Sequence, residues 1–243
     1  MPIVSSVRRA LRRRGLDVVR YPGYGPPVML VKMLHAAGVD VVIDAGANGG
    51  RFGEEIREVG WSGPIVSFEP LSEPFTRLHA AADGDALWTA HQFALGDESA
   101  TATMQIASNA GESSSLLSMR DEHRRAAPGI TLVGEESVEV RRLDDLAKDV
   151  LPADSQCFLK VDTQGFEGRV VAGAESLIRD RCLGVQLELS LVPMYSEGMS
   201  LQDGDDFAAR FGFETVSIFP GFTDLTTGRM MQVDAVYMRP GAL

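Results

Sequence analysis

Two short stretches hold residues whose types and spacing point to chemistry. The first, Asp44-Ala45-Gly46-Ala47-Asn48-Gly49-Gly50, closes the apolar run Val41-Val42-Ile43 and opens a segment where Phe52, Ile56 and Val59 recur at helical spacing. Glycines at such a turn let the backbone reverse tightly and come close to a ligand, and the helix start behind it offers unpaired N–H groups. The second, Ile65-Val66-Ser67-Phe68-Glu69-Pro70, places an acid 23 residues beyond Gly46. In doubly wound sheets an acid at that position sits beside the first turn and accepts hydrogen bonds from ribose hydroxyls. Strand, glycine turn, helix, strand and acid together read as a nucleoside site.

The turn narrows the choice of nucleoside. Residues 46–51 read Gly-Ala-Asn-Gly-Gly-Arg, so the dinucleotide fingerprint G-x-G-x-x-G fails at its second glycine, and no G-x-x-x-x-G-K-[ST] occurs. An acid opening the turn, Asp44, would repel a pyrophosphate. It would attract a cation, such as the ammonium or sulfonium of S-adenosylmethionine. The alternative is a structural turn in which Asp44 only caps the helix.

The elements that position these residues alternate between apolar strands and helical periods, the pattern of a parallel α/β fold. Strands are expected at 40–44, 64–68, 88–93, 157–161, 184–189, 213–219 and 233–238, with two further strands at 100–106 and 138–143. Helices are expected at 28–37, after Gly50, after Ser72 as a cap, at 144–150, at 167–179 and at 201–211, the last capped by Ser200 with Asp203. Residues 108–134, rich in Ser, Glu, Arg and Gly, read as an active-site loop with one helix near 118–126. No linker separates two domains, so residues 28–243 read as one domain behind a basic segment, 1–27.

Charge and composition bound the rest. The 243 residues are 44% hydrophobic and 23% charged, with a formal charge of −11. Residues 1–20 hold six arginines against Asp17, so this end is +5 and the remainder −16. An acidic body counts against nucleic-acid binding. The basic end suits an amphipathic helix, either solvated and packed on the body or docked on an anionic membrane surface. Two cysteines, Cys157 and Cys182, exclude a disulfide framework and suit a reducing cytoplasm. No apolar run approaches the ~18 residues of a membrane span, and no secretory signal pattern is present.

In the motifs already quoted the chain resembles the FkbM family of S-adenosylmethionine-dependent methyltransferases. The likeness continues through Ala94-Leu95-Gly96-Asp97, Ser113-Ser114-Ser115-Leu116-Leu117, Leu143-Asp144-Asp145-Leu146 and Phe158-Leu159-Lys160-Val161-Asp162-Thr163-Gln164-Gly165-Phe166-Glu167. It reaches Gln186-Leu187-Glu188-Leu189, Thr227-Gly228-Arg229 and Gln232-Val233-Asp234. The resemblance implies a class I methyltransferase (Rossmann-like) fold: a seven-stranded, mostly parallel sheet with helices on both faces, a final antiparallel strand and a small β insertion. It implies that Gly46 and Asn48 contact the methionine portion of S-adenosylmethionine with Asp44 lining it. By the same likeness Glu69 would hold the ribose, Ala94 and Leu95 flank the adenine, and Asp162 touch the cofactor. It further implies O-methylation of a hydroxyl on a sugar, glycolipid or related natural product. Rival readings are a nicotinamide-dependent oxidoreductase on a similar sheet and an inactive methyltransferase-fold binding module.

Methyl transfer needs a group to take the acceptor's proton. Asp162 stands at the carboxyl end of its strand, where ligands bind in open α/β sheets, and Glu188 lies near the end of the next. The pair could deprotonate an acceptor or hold a hard cation such as Mg²⁺; otherwise Asp162 serves the cofactor and Glu188 a loop. Lys160 either pairs with Asp162 or is a buried structural partner. His123 is the best histidine for a general base, although its neighbours Arg120, Asp121, Glu122, Arg124 and Arg125 also suit a solvated position. His35, His79 and His91 suit packing or surface roles. No zinc pattern is present.

Overall fold

The structure is a computed structural model that describes residues 11–15, 25–117 and 119–243. The amphipathic helix expected in the basic segment falls largely outside the described residues; of residues 1–20 the described ones are 11–15, and of these Leu11 and Arg12 are helical.

Helix α1 (Pro26–Ala37) leads into β1 (Val41–Ala45), α2 (Arg51–Glu58), β2 (Ile65–Phe68), α3 (Ser72–Ala82) and β3 (Trp88–His91). Three strands follow, β4 (Ala94–Leu95), β5 (Ala100–Ala107) and β6 (Leu132–Arg141), with the short helix α4 (Asp121–Ala126) between the last two. The chain then runs through α5 (Leu143–Val150), β7 (Cys157–Val161), α6 (Glu167–Gly173), α7 (Glu175–Asp180) and β8 (Cys182–Ser190). It ends with α8 (Leu201–Phe211), β9 (Glu214–Pro220), the hairpin β10 (Thr223–Asp224) and β11 (Arg229–Met230), and β12 (Gln232–Met238).

Seven strands form one sheet in the order β3-β2-β1-β7-β8-β12-β9. Neighbours are parallel except β12, which runs antiparallel to both β8 and β9. The chain winds outward from β1 to β3 and returns to β7 on the other side of β1, so the strand order reverses between β1 and β7. This is the class I methyltransferase topology expected from the sequence, and ligands of such sheets bind above that reversal.

Both faces of the sheet are covered, which is why the central strands read as unbroken apolar runs. One face packs Ile43, Leu159 and Leu187 against Leu143, Ile178 and Phe207 from α5, α7 and α8. The other packs Val42, Ile65 and Phe158 against Leu34, Ile56 and Leu78 from α1, α2 and α3.

Three local expectations change. The helix expected over 167–179 is two, parted at Ala174 (φ −124°). There Gly173 lies so close to the β4–β5 turn that a Cβ on it would stand 1.7 Å from the Gly96 carbonyl oxygen. Strand β6 starts at Leu132, inside the stretch read as loop, and pairs with both β4 and β5 in a separate three-stranded sheet. Ser72 does not cap α3: Leu71 holds the cap position, and the Ser72 hydroxyl donates to Glu136 on β6. Ser200 and Asp203 do form the expected reciprocal cap on α8.

Candidate active site

Strand register builds the site in two rows. Ser67, Asp44, Lys160 and Gln186 are register partners on β2, β1, β7 and β8, so their side chains share the face covered by α1–α3. Two residues further along each strand, at the carboxyl edge, that face carries Glu69, Gly46, Asp162 and Glu188, and Asp234 on β12 stands directly opposite Glu188. A cavity of about 570 Å³ opens above this upper row, roofed by α1, α2 and the 108–117 loop. Gly46, Asn48, Glu69, Ala94, Leu95 and Asp162 all line it.

The β1–β2 side is made by backbone. Gly46 adopts φ +79°, and a Cβ there would meet the Asp162 carbonyl oxygen at 1.9 Å, so no other residue fits the turn. Asn48 takes a left-handed conformation (φ 46°), which asparagine tolerates better than most residues. Its backbone N–H donates to Glu69 Oε2 at 2.9 Å, and the Leu71 N–H donates to Glu69 Oε1 at 2.9 Å. These bonds fix the carboxylate at the cavity wall and leave each oxygen a free lone pair. Burial pushes the Glu69 carboxyl up to about 7, against the two N–H donors that favour its charge.

Asp44 does not line the cavity. It is fully buried in the lower row, with Lys160 Nζ 3.0 Å from its Oδ1. Burial pushes the Asp44 carboxyl up, and the Lys160 charge opposes that. On Lys160 the burial penalty is outweighed by attraction to Asp44 and Asp162, so its ammonium is held above the ordinary range. Nζ also lies 3.6 Å from Asp162 Oδ2 and donates to the Gly46 carbonyl at 3.2 Å. Lys160 thus answers both readings of it: it pairs with Asp162 and, more closely, acts as the buried partner of Asp44.

The β7–β8–β12 side is made by side chains. Gln164, itself left-handed at φ 54°, donates through Nε2 to Asp162 Oδ1 (2.9 Å) and to Glu188 Oε2 (3.1 Å). Its Oε1 accepts from the Tyr195 hydroxyl at 2.6 Å, which sets the amide's orientation. One amide therefore bridges two carboxylates that would otherwise repel each other. Burial, reinforced by Asp162, raises the Glu188 carboxyl well above its ordinary range. Glu188 sits behind Gln164 and is not part of the cavity wall, whereas Asp234, Gln186 and Gln164 are. Burial and then Asp162 push Asp234 up to about 6.

His123 is neither solvated nor at the cavity. Helix α4 turns it inward until 4% is exposed, edge-on to the Tyr195 ring at 5.4 Å, with Nδ1 unpartnered. Burial lowers its pKa, so it stays neutral behind Tyr195. The Mg²⁺ expectation finds no support. Among the described residues no group of three or more His, Cys, Asp or Glu side chains is arranged to hold a metal. Between Asp162 and Glu188, where a cation would bridge, stands the NH₂ of Gln164.

Gln164, Tyr195, Gln186 and Asp234 were not expected at the site. For Gln186 and Asp234 the signal in the sequence is polar residues two apart on strands that are otherwise apolar, Gln186/Glu188 and Gln232/Asp234, as at Lys160/Asp162; Gln164 and Tyr195 lie in the loops after β7 and β8 and carry no such signal. Such pairs face one side of a buried sheet.

The sequence model of the methyltransferase FkbM domain matches residues 44–215. No curated protein matches as a sequence relative. Among solved structures, the N-terminal domain of human METTL16 in complex with SAH aligns over 97% of this chain and 81% of that one, with 12% identity and a TM-score of 0.45. A fibrillarin/Nop5p complex aligns over 88% and 83%, with 11% identity and a TM-score of 0.47. TehB from Haemophilus influenzae aligns over 90% and 63%, with 9% identity and a TM-score of 0.48.

Proposed function

Because the chain belongs to the FkbM methyltransferase family, and is thereby an S-adenosylmethionine-dependent methyltransferase, we propose that it methylates a hydroxyl oxygen of a sugar, glycolipid or related natural product. The observation that carries this reading is the pairing, across one cavity, of a backbone-held Glu69 with a carboxylate wall of Asp162 and Asp234. The first suits two ribose hydroxyls, and the second suits an acceptor that must be oriented and relieved of a proton.

The residues present fit the cofactor. Glu69 offers acceptors to the ribose, Gly46 presents only backbone to the cavity for the methionine portion to lie against, and Phe68, Ala94 and Leu95 give apolar contact for the base. Asp44 supports this from below by holding Lys160, not by touching the cofactor. S-adenosylmethionine, when bound, supplies a methyl group on an electrophilic sulfonium. The protein's remaining work is to hold an acceptor oxygen ~3–3.5 Å from that carbon and to receive its proton. One carboxylate of the Asp162–Asp234 wall receives it, with Gln164 and Gln186 as hydrogen-bonding groups for neighbouring hydroxyls. Glu188 acts through Gln164 by fixing that amide. Neutral His123 supports Tyr195 instead of serving as the base.

The acceptor is a small molecule or a glycolipid, not a nucleic acid. No helix among the described residues is long and apolar enough to cross a membrane, and we place the enzyme in the cytoplasm with its Arg-rich end available to an anionic membrane surface. Incubation with methyl-labelled S-adenosylmethionine and a source-organism extract, followed by mass spectrometry, tests the reading. A labelled product with an O-methyl sugar supports it; label carried only on nitrogen, protein or RNA overturns it.

A further inference from the structure

The cavity extends well beyond the end assigned to the cofactor. It follows the carboxyl edge of the sheet from Glu69, after β2, to Phe219 on β9. That is five steps in the strand order, or roughly 24 Å at about 4.8 Å per step. Glu69, Gly46 and Asp162 account for the first two steps. The other three, over β8, β12 and β9, form a compartment of different chemistry. Its floor is polar, with Gln186 and Asp234, and its walls are Pro26, Pro27, Phe52 and Phe219. Phe52 and Phe219 pack on one cluster with Leu30 and Val236. Phe219 is the register partner of Asp234, so ring and carboxylate stand side by side on one face of the sheet. Ile218, partner of Ala235, points to the other face. Among the described residues two cations line the cavity, and both are paired. Lys160 lies 3.0 Å from Asp44, 3.6 Å from Asp162 and 5.4 Å from the centre of the Phe52 ring. Arg51 lies 2.7 Å from Glu55. A phosphate entering here would be placed beside Asp162 and Asp234, which repel it.

A ligand suited to this compartment has one apolar face, a row of hydroxyls and no charge. We infer that Phe219 decides which acceptors the enzyme takes, its ring packing on the C–H face of an uncharged sugar ring whose hydroxyls turn to Gln186 and Asp234. The inference rests on the methyltransferase reading and deepens it. A pyranose carries its hydroxyls mainly around its edge and C–H groups on its faces. A flat aromatic ring covers such a face over a wide area, and a branched aliphatic side chain does not. The few polar groups on the floor then fix the ring's orientation within apolar walls. A sugar phosphate fits the same walls but brings its charge to the wrong neighbours, so it is excluded.

Saturation-transfer difference NMR at pH 7.5, with S-adenosylhomocysteine saturating, tests this without knowledge of the natural acceptor. The probes are the methyl pyranosides of glucose, galactose, mannose, rhamnose and fucose, the hexose phosphates of the first three, and cyclohexanol. At least one glycoside should bind, with the strongest transfer to the C–H protons of one ring face. Hexose phosphates should bind at least about tenfold more weakly. Phe219→Tyr should keep glycoside binding within about twofold, and Phe219→Leu, equally apolar but not flat, should weaken it about tenfold. Ile218→Ala, on the other face of the strand, should leave it unchanged. The inference is overturned if no glycoside binds at tens of millimolar, or if a hexose phosphate or cyclohexanol binds as tightly as the best glycoside. It is overturned equally if Phe219→Leu and Phe219→Tyr behave alike, or if Ile218→Ala weakens binding as much as Phe219→Leu. Loss of S-adenosylhomocysteine binding in Phe219→Leu would place Phe219 at the cofactor and also overturn it. Should Phe219→Leu fail to fold, the wild-type transfer pattern decides, because transfer spread evenly over the sugar ring contradicts stacking. If wild type binds no S-adenosylhomocysteine, the methyltransferase reading itself fails, a result distinct from binding it without any glycoside.

Discussion

The two sides of the cavity are built by opposite means. On the β1–β2 side, backbone does the work: a glycine at φ +79°, an asparagine N–H and a leucine N–H hold one carboxylate. On the β7–β8–β12 side, side chains from three strands and two loops meet, and Gln164 with Tyr195 keeps the carboxylates in order. Backbone geometry tolerates little substitution, because a change of residue moves the chain itself. Side-chain networks admit exchange of one member at a time. On the function proposed above, a fixed wall for an invariant cofactor and an adjustable wall for the acceptor suit their tasks.

That contrast can be broken most sharply at Gly46. Gly46→Ala places a methyl group against the Asp162 carbonyl and should cost about 3 kcal/mol or more. A melting temperature lower by ~6–12 °C and loss of S-adenosylhomocysteine binding are expected. A stable variant with intact binding would show that the turn is not as rigid as argued. Next in size, Glu69→Gln removes a charged acceptor from two hydroxyls and should weaken S-adenosylhomocysteine binding about 30-fold, equivalent to ~2 kcal/mol, with a modest fall in melting temperature because the amide NH₂ cannot accept from one of the two backbone N–H groups. Calorimetry checks this, and unaltered affinity would remove the ribose assignment.

The same carboxylate sets a pH dependence. In the free protein Glu69 holds its proton up to about 7, whereas ribose hydroxyls favour the ionised form. Ligand affinity should therefore rise about tenfold from pH 6 to pH 8 and level off above, and should be flat in Glu69→Gln. The smallest effect belongs to the acceptor side. The native state binds the Glu188 proton more tightly than the unfolded chain does, so this group lowers stability as pH rises above its unfolded value. Glu188→Gln removes that loss and should raise the melting temperature at pH 8 by ~2–4 °C, or about 1 kcal/mol, with no gain near pH 4. A destabilised Glu188→Gln at pH 8 would mean that the charge is needed by the network it joins.

The same division explains what the sequence made legible. Asp44 to Gly50 and Glu69 are local signals, because a turn and the strand after it are contiguous in the chain. The strands were legible too, since strands buried on both faces read as apolar runs, while their arrangement in one sheet came from the family resemblance. The acceptor side depends on register between strands far apart in sequence: Asp162 and Asp234 belong to one wall only once β8 stands between β7 and β12. Charge pattern misled at two places. Asp44 looked like a ligand for a cofactor cation and is neutralised by Lys160; His123 looked solvated or catalytic and is turned into a pocket beside Tyr195 and Phe222. In both cases the deciding neighbour lies more than seventy residues away.

The central claim, that the glycine turn and Glu69 form an S-adenosylmethionine site, is tested most directly by thermal unfolding with and without S-adenosylhomocysteine. At about 100 times the dissociation constant the ligand should add ~2.7 kcal/mol, raising the wild-type melting temperature by about 5–10 °C and that of Glu69→Gln by clearly less at the same concentration. An unchanged wild-type melting temperature at millimolar ligand would contradict the account.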